Sequence, residues 1–138
     1  MPAGAPLFFR CFVAKRRRMG YYHIVFCPRY RRKIFLIPGV EEHFKKLTAA
    51  ACKEYGIDIL AMECHVDHVH MFISVYPQMS IPEAVRLIKG ATSHRLRKEF
   101  PQLMNMPSLW TRSYFVSTAG NVSADTVEWY IKTQKTRD

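Results

Sequence analysis

The chain carries the run Asp67-His68-Val69-His70 inside a stretch, His68 to Val75, of strand-like composition. Side chains alternate along a strand, so His68 and His70 project from one face while Val69 points the other way, into a core. Two imidazoles on one face can hold a divalent cation, or they can stand as two exposed histidines on a sheet. Further along, Tyr130 and Gln134 are four positions apart on a predicted helix and share one side of it. A tyrosine oxygen is a competent nucleophile toward phosphorus, but the phenol titrates near ~10, so attack at neutral pH needs a base, a cation or a polarised target. A cation held by His68 and His70 would polarise a phosphate oxygen, and the Gln134 amide oxygen could complete its coordination. Taken singly, Tyr130 reads as an aromatic packed beside Trp129 and Ile131, and Gln134 as an ordinary polar residue. Taken with the paired histidines, they make a site for breaking a phosphodiester bond.

Charge agrees with such a substrate. The 138 residues hold 21 Lys+Arg against 11 Asp+Glu, a net charge of +10 and a pI near 9.7. Basic residues cluster at Lys15–Arg18, at Arg29, Arg31, Arg32 and Lys33, and at Arg86, Lys89, Arg95, Arg97 and Lys98. Such patches favour a polyanion, because neutralising phosphates releases condensed counterions; the alternative is a solvated basic surface kept for solubility.

Hydrophobic residues make up 49% and charged residues 23%, the balance of a folded domain rather than of a disordered chain. No apolar run approaches the ~18 residues of a membrane span, which argues against a membrane protein. The mildly apolar start, Met1 to Val13, precedes its basic cluster, the reverse of a signal peptide. Cys11, Cys27, Cys52 and Cys64 form no C-x-x-C pair, and they read as reduced thiols in a cytoplasmic protein.

The elements that would position these groups follow from patterning. Residues 1–20 read as a basic N-terminal arm and residues 21–138 as one domain. Tyr21–Cys27 reads as a strand, followed by a basic connection from Arg29 to Pro38. Val40, Phe44, Leu47 and Ala51 mark one helical face that stops at Gly56. Ile57–Cys64 and His68–Val75 read as a hairpin across His65-Val66-Asp67. Ser80-Ile81-Pro82-Glu83 has capping-box spacing and opens a helix to about Glu99; Trp110–Thr118 reads as a fourth strand, and Ser123 caps a last helix carrying Tyr130 and Gln134. The order predicts an α+β, ferredoxin-like (split βαβ, RRM-like) antiparallel sheet with helices on one face and the other left open.

At this point the sequence resembles the small single-tyrosine HUH transposases of the IS200/IS605 insertion sequences. The resemblance is carried by Tyr22-His23-Ile24-Val25-Phe26-Cys27-Pro28-Arg29-Tyr30-Arg31-Arg32-Lys33, by Asp67-His68-Val69-His70, by the helix segment Ile88 to Arg97, by Leu109 to Thr118 and by Tyr130-Ile131-Lys132-Thr133-Gln134. It implies that His68 and His70 are metal ligands, Gln134 the third ligand and Tyr130 the nucleophile, with Mg2+ or Mn2+ as the cation. It further implies cleavage of single-stranded DNA at element ends through a 5′-phosphotyrosine with a free 3′-hydroxyl, recognition of hairpins, later rejoining, and a homodimer in which the Tyr130 helix completes the partner's site. Arg29, Arg31, Arg32, Lys33, Arg86, Lys89, Arg95, Arg97 and Lys98 are expected phosphate contacts, with Tyr30 or Trp110 stacking on bases. His65 and Glu63 lie beside the metal segment at a turn and a hairpin end, and Cys64 reads as buried filler. The alternatives are a domesticated relative acting on dispersed palindromic repeats, and a non-catalytic module of the same fold that binds single-stranded nucleic acid.

Overall fold

A computed structural model describes residues 20–118. The arm and the helix expected after Ser123, with Tyr130 and Gln134, lie outside the described residues. The elements are β1 (Gly20–Phe26), α1 (Val40–Tyr55), β2 (Asp58–His65), β3 (His68–Val75), α2 (Ile81–Glu99) and β4 (Phe115–Thr118), with short 3-10 turns at Arg29–Arg31, Ile34–Leu36 and Pro101–Asn105. They form one antiparallel sheet of order β2-β3-β1-β4, the split βαβ arrangement expected from the sequence.

Local chemistry explains the boundaries. α1 ends where Gly56 takes a left-handed conformation, φ 74°, and a Cβ there would lie 2.6 Å from the Tyr76 ring. α2 starts at Ser80, whose hydroxyl accepts a hydrogen bond from the Glu83 N–H at 3.2 Å, and it closes with Arg97 and Lys98 against its negative end. Both helices lie on one face of the sheet. Phe44, Val40 and Cys52 from α1 and Ala84, Ile88 and Leu96 from α2 bury against Ile24 and Phe26 of β1 and Val69, Met71 and Ile73 of β3. Each large apolar side chain so buried contributes about 1.5–3 kcal/mol.

Strand four is shorter than the expected Trp110–Thr118, because Trp110 is a core side chain. It packs edge-on to Phe26 at 4.9 Å and Phe44 at 5.5 Å. The following carbonyls, of Thr111 and Ser113, accept hydrogen bonds from Lys89 Nζ at 2.8 and 2.9 Å, which draws the segment over α2 instead of along β1. Among the described residues a single isolated bridge, Pro28 to Trp110, precedes Phe115–Thr118.

β2 holds an extra residue. Ile59 pairs with Ile73 and Ala61 with Phe72, so Leu60 bulges out of the ladder and is half-exposed. Beyond it Met62 and Cys64 face the helices, while Glu63 sits opposite His70 and His65 opposite His68.

The face away from the helices is less open than expected. Tyr21 is exposed and His23 and Phe72 half-buried, but Val25 and the adjacent Cys27 are fully buried and pack with Phe115.

Candidate functional site

β3 places His68 and His70 on the face away from the helices, with Val69 between them fully buried in the core, as the alternation requires. The strand begins directly after the turn residue Asp67. Asp67 Oδ1 lies 3.1 Å from His68 Nδ1, and Asp67 Oδ2 accepts two hydrogen bonds from Arg31, from Nε at 3.0 Å and Nη2 at 2.6 Å. The other side of the His68 ring stacks on His65, centroids 4.3 Å apart. His70 Nε2 lies 3.3 Å from His23 Nδ1 on β1, and His23 in turn stacks on Phe72 at 4.5 Å.

Burial lowers the pKa of His68 below the ordinary 6.5, outweighing the Asp67 carboxylate, which acts to raise it. Burial also lowers that of His70, helped by the neighbouring His23. Both rings are therefore neutral near pH 7, the form that ligates metals. Burial alone would raise the Asp67 carboxyl, but hydrogen bonds from Arg31 and His68 outweigh it and hold the group below its usual range.

Among the described residues, no group of three or more His, Cys, Asp or Glu is placed to hold a metal ion. His65 is occupied in stacking on His68, and Glu63 is largely exposed. The donor set present, two neutral imidazoles side by side with the first held at Nδ1, suits a cation whose remaining ligands are oxygens. The expected third ligand, Gln134, and the nucleophile Tyr130 lie outside the described residues.

The basic residues divide. Arg32, Lys33, Arg95 and Lys98 are exposed, as is Tyr30. Others hold the fold together: Arg29 donates to Ser108 Oγ at 2.9 Å, Arg31 to Asp67, Arg97 to the Met106 carbonyl at 2.7 Å, and Lys89 to the two carbonyls after Trp110. Arg86 pairs with Glu83 at the surface at 2.8 Å. α2 packs its apolar side on the face of the sheet opposite the histidines. Trp110, expected to stack on bases, is instead 5% exposed and its indole N–H is satisfied within the core.

Sequence reasoning missed His23, which touches His70, and the link from Arg31 to Asp67. The alternation of Tyr21, His23 and Val25 along β1 was the available signal for the first. The second joins residues 36 positions apart and left no trace in spacing.

Residues 17–134 match the family described as "Transposase IS200 like". The chain is similar to the ISDra2 transposase TnpA of Deinococcus radiodurans, 30% identical over 120 residues that cover 85% of each chain. It is also similar to the transposase for insertion sequence element IS200 of Salmonella typhimurium, 35% identical over 123 residues, 85% of this chain and 78% of the relative. Among solved structures, a transposase from Deinococcus radiodurans R1 aligns with a TM-score of 0.76 at 29% identity, over 84% of this chain and 91% of that one. A REP-associated tyrosine transposase, solved bound to a REP hairpin, shares the fold at a TM-score of 0.54 and 12% identity, over 83% of this chain and 61% of its own.

Proposed function

This chain belongs to the IS200-like transposase family, enzymes that cleave DNA and transfer strands, and on that premise we propose that it cuts and rejoins single-stranded DNA at hairpin-marked ends, with Tyr130 as nucleophile and with His68, His70 and Gln134 as ligands of Mg2+ or Mn2+. The observation that carries the reading is the pair of imidazoles on one face of β3, the first oriented by Asp67.

The residues divide the work as follows. The Tyr130 oxygen attacks a backbone phosphorus; a phosphorus–oxygen bond to tyrosine forms as the bond to the 3′ oxygen breaks, and the phenolic proton ends on the released 3′-hydroxyl. The reverse attack by a 3′-hydroxyl rejoins DNA and frees Tyr130, so the bond energy is kept in the covalent intermediate. The bound cation would withdraw charge from the phosphate as it develops. Exposed Arg32, Lys33 and Tyr30, close in the chain to Arg31, supply phosphate and base contacts on the approach to His68. That a protein of this fold has been solved with a hairpin supports the choice of substrate. The homodimer with the Tyr130 helix completing the partner's site belongs to the same proposal.

The test incubates the protein with end-labelled hairpin DNA carrying single-stranded flanks, in Mg2+ or Mn2+. A covalent protein–DNA adduct on denaturing gels is expected, absent in Tyr130→Phe although that variant still binds the hairpin. Hairpin binding by the intact protein with no adduct in either metal would instead establish a binding module.

A further inference from the structure

We propose that Arg31 and Asp67 are positioning residues: they fix the His68 ring with its proton on Nδ1 and its Nε2 lone pair turned toward the cation site. The inference rests on the metal-assisted reading above and adds to it a device outside the ligand set.

Asp67 is 8% exposed and engaged at both oxygens. With Oδ2 taking the Arg31 fork at 3.0 and 2.6 Å, the carboxylate has no proton to donate, so the 3.1 Å contact at Oδ1 is His68 donating from Nδ1. With Nδ1 engaged by Asp67, Nε2 is the ring nitrogen left to act as a ligand. Asp67 adjoins His68 in the chain, and the turn before β3 sets their relative direction. Arg31 comes from the connection after β1, 36 positions earlier in the chain, with α1 and β2 in between.

How Arg31 arrives is informative. Tyr30 and Arg31 have φ of 60° and 53°, two successive non-glycine residues in the left-handed region. Each such residue costs on the order of 1 kcal/mol and persists only where surrounding contacts over-determine it. Here those contacts are the Arg31 N–H to the Pro28 carbonyl at 2.8 Å and the fork onto Asp67. The reversal turns the Arg31 side chain inward to the metal segment while Tyr30, Arg32 and Lys33 stay exposed. The basic connection thus has two tasks, with Arg31 serving the site's geometry.

The experiment compares the full chain with Asp67→Asn and Arg31→Lys. Asparagine has the shape of aspartate but must turn its amide oxygen to Arg31 and its amide N–H2 to His68, which drives the His68 proton to Nε2. Nitrogen-15 histidine spectra of the metal-free protein, assigned with His68→Gln, should show Nδ1–H in the wild type and Nε2–H in Asp67→Asn. Mn2+ affinity, read by electron paramagnetic resonance, should fall about 10–100-fold in Asp67→Asn. It should fall less in Arg31→Lys, which keeps the charge but not the fork. A folded Asp67→Asn with the wild-type tautomer and wild-type Mn2+ affinity overturns the inference. If Asp67→Asn does not fold, Arg31→Lys with undiminished Mn2+ affinity overturns it. A wild type that binds no Mn2+ counts against the metal-assisted cutting reading, while its metal-free spectrum still decides the positioning role.

Discussion

The indole N–H of Trp110 donates to the hydroxyl oxygen of Thr92 at 2.9 Å, a hydrogen bond with both partners buried. The Thr92 hydroxyl donates in turn to the Ile88 carbonyl at 3.0 Å, so the segment after Leu109 is tied to the middle of α2. Trp110→Phe should keep most of the packing but leave Thr92 short of a donor, destabilising by about 1–3 kcal/mol. The urea midpoint should drop while DNA affinity, measured well below that midpoint, stays put. A selective loss of DNA affinity would return Trp110 to the role of a base platform.

Tyr30 offers the contrasting case, an aromatic ring 48% exposed beside exposed Arg32 and Lys33. Tyr30→Ala should weaken single-stranded DNA binding by about 1–3 kcal/mol, the range for one stacked base, with little change in melting temperature. Fluorescence anisotropy against the unpaired flank of a hairpin measures it. Unchanged affinity would move the stacking contact elsewhere.

Acid should destabilise the fold in two stages. His68, facing Asp67, His65 and Arg31, and His70, facing His23, Glu63, His68 and His65, both have pKa values below 6.5 in the native state. Their contribution is complete above about 6.5 and is lost as pH falls from there toward the native values, since the unfolded chain takes up protons the native one refuses. Asp67, also lowered, adds a second loss below its ordinary 3.8. Urea midpoints across the acid range should decline less steeply in His68→Gln than in wild type; equal slopes would contradict the assignment.

The thiols of Cys27 and Cys52, both buried, and of the partly buried Cys64 should be inert. Burial pushes Cys27, Cys52 and Cys64 each up to about 12, so almost no thiolate exists near neutrality. Peptide mapping after iodoacetamide at about pH 8 should find these three unmodified in the native protein and modified in guanidinium. Cys64 is only partly buried, and its labelling in the native protein at the rate seen in guanidinium would contradict the raised pKa.

Much of this was legible in the chain because local rules fix it. The capping sequence at Ser80, the stop at Gly56 and the alternation around Val69 each depend on a few neighbouring residues. Trp110 misled because large–small alternation looks alike in a strand and in a loop pinned by one aromatic; Lys89, distant in sequence, decided between them. Arg29, Arg31 and Arg97 showed as charge, and their use as internal donors depends on where Ser108, Asp67 and the Met106 carbonyl come to lie.

The bulge at Leu60 makes β2 unusually forgiving of lost length. Deleting one residue from a strand normally swaps its inside and outside, but here Ile59 would simply adjoin Ala61 with every partner on β3 retained. The shortened variant should therefore fold. What it would give up is the local kink on an outermost strand, and with it a guard against two molecules zipping together side by side.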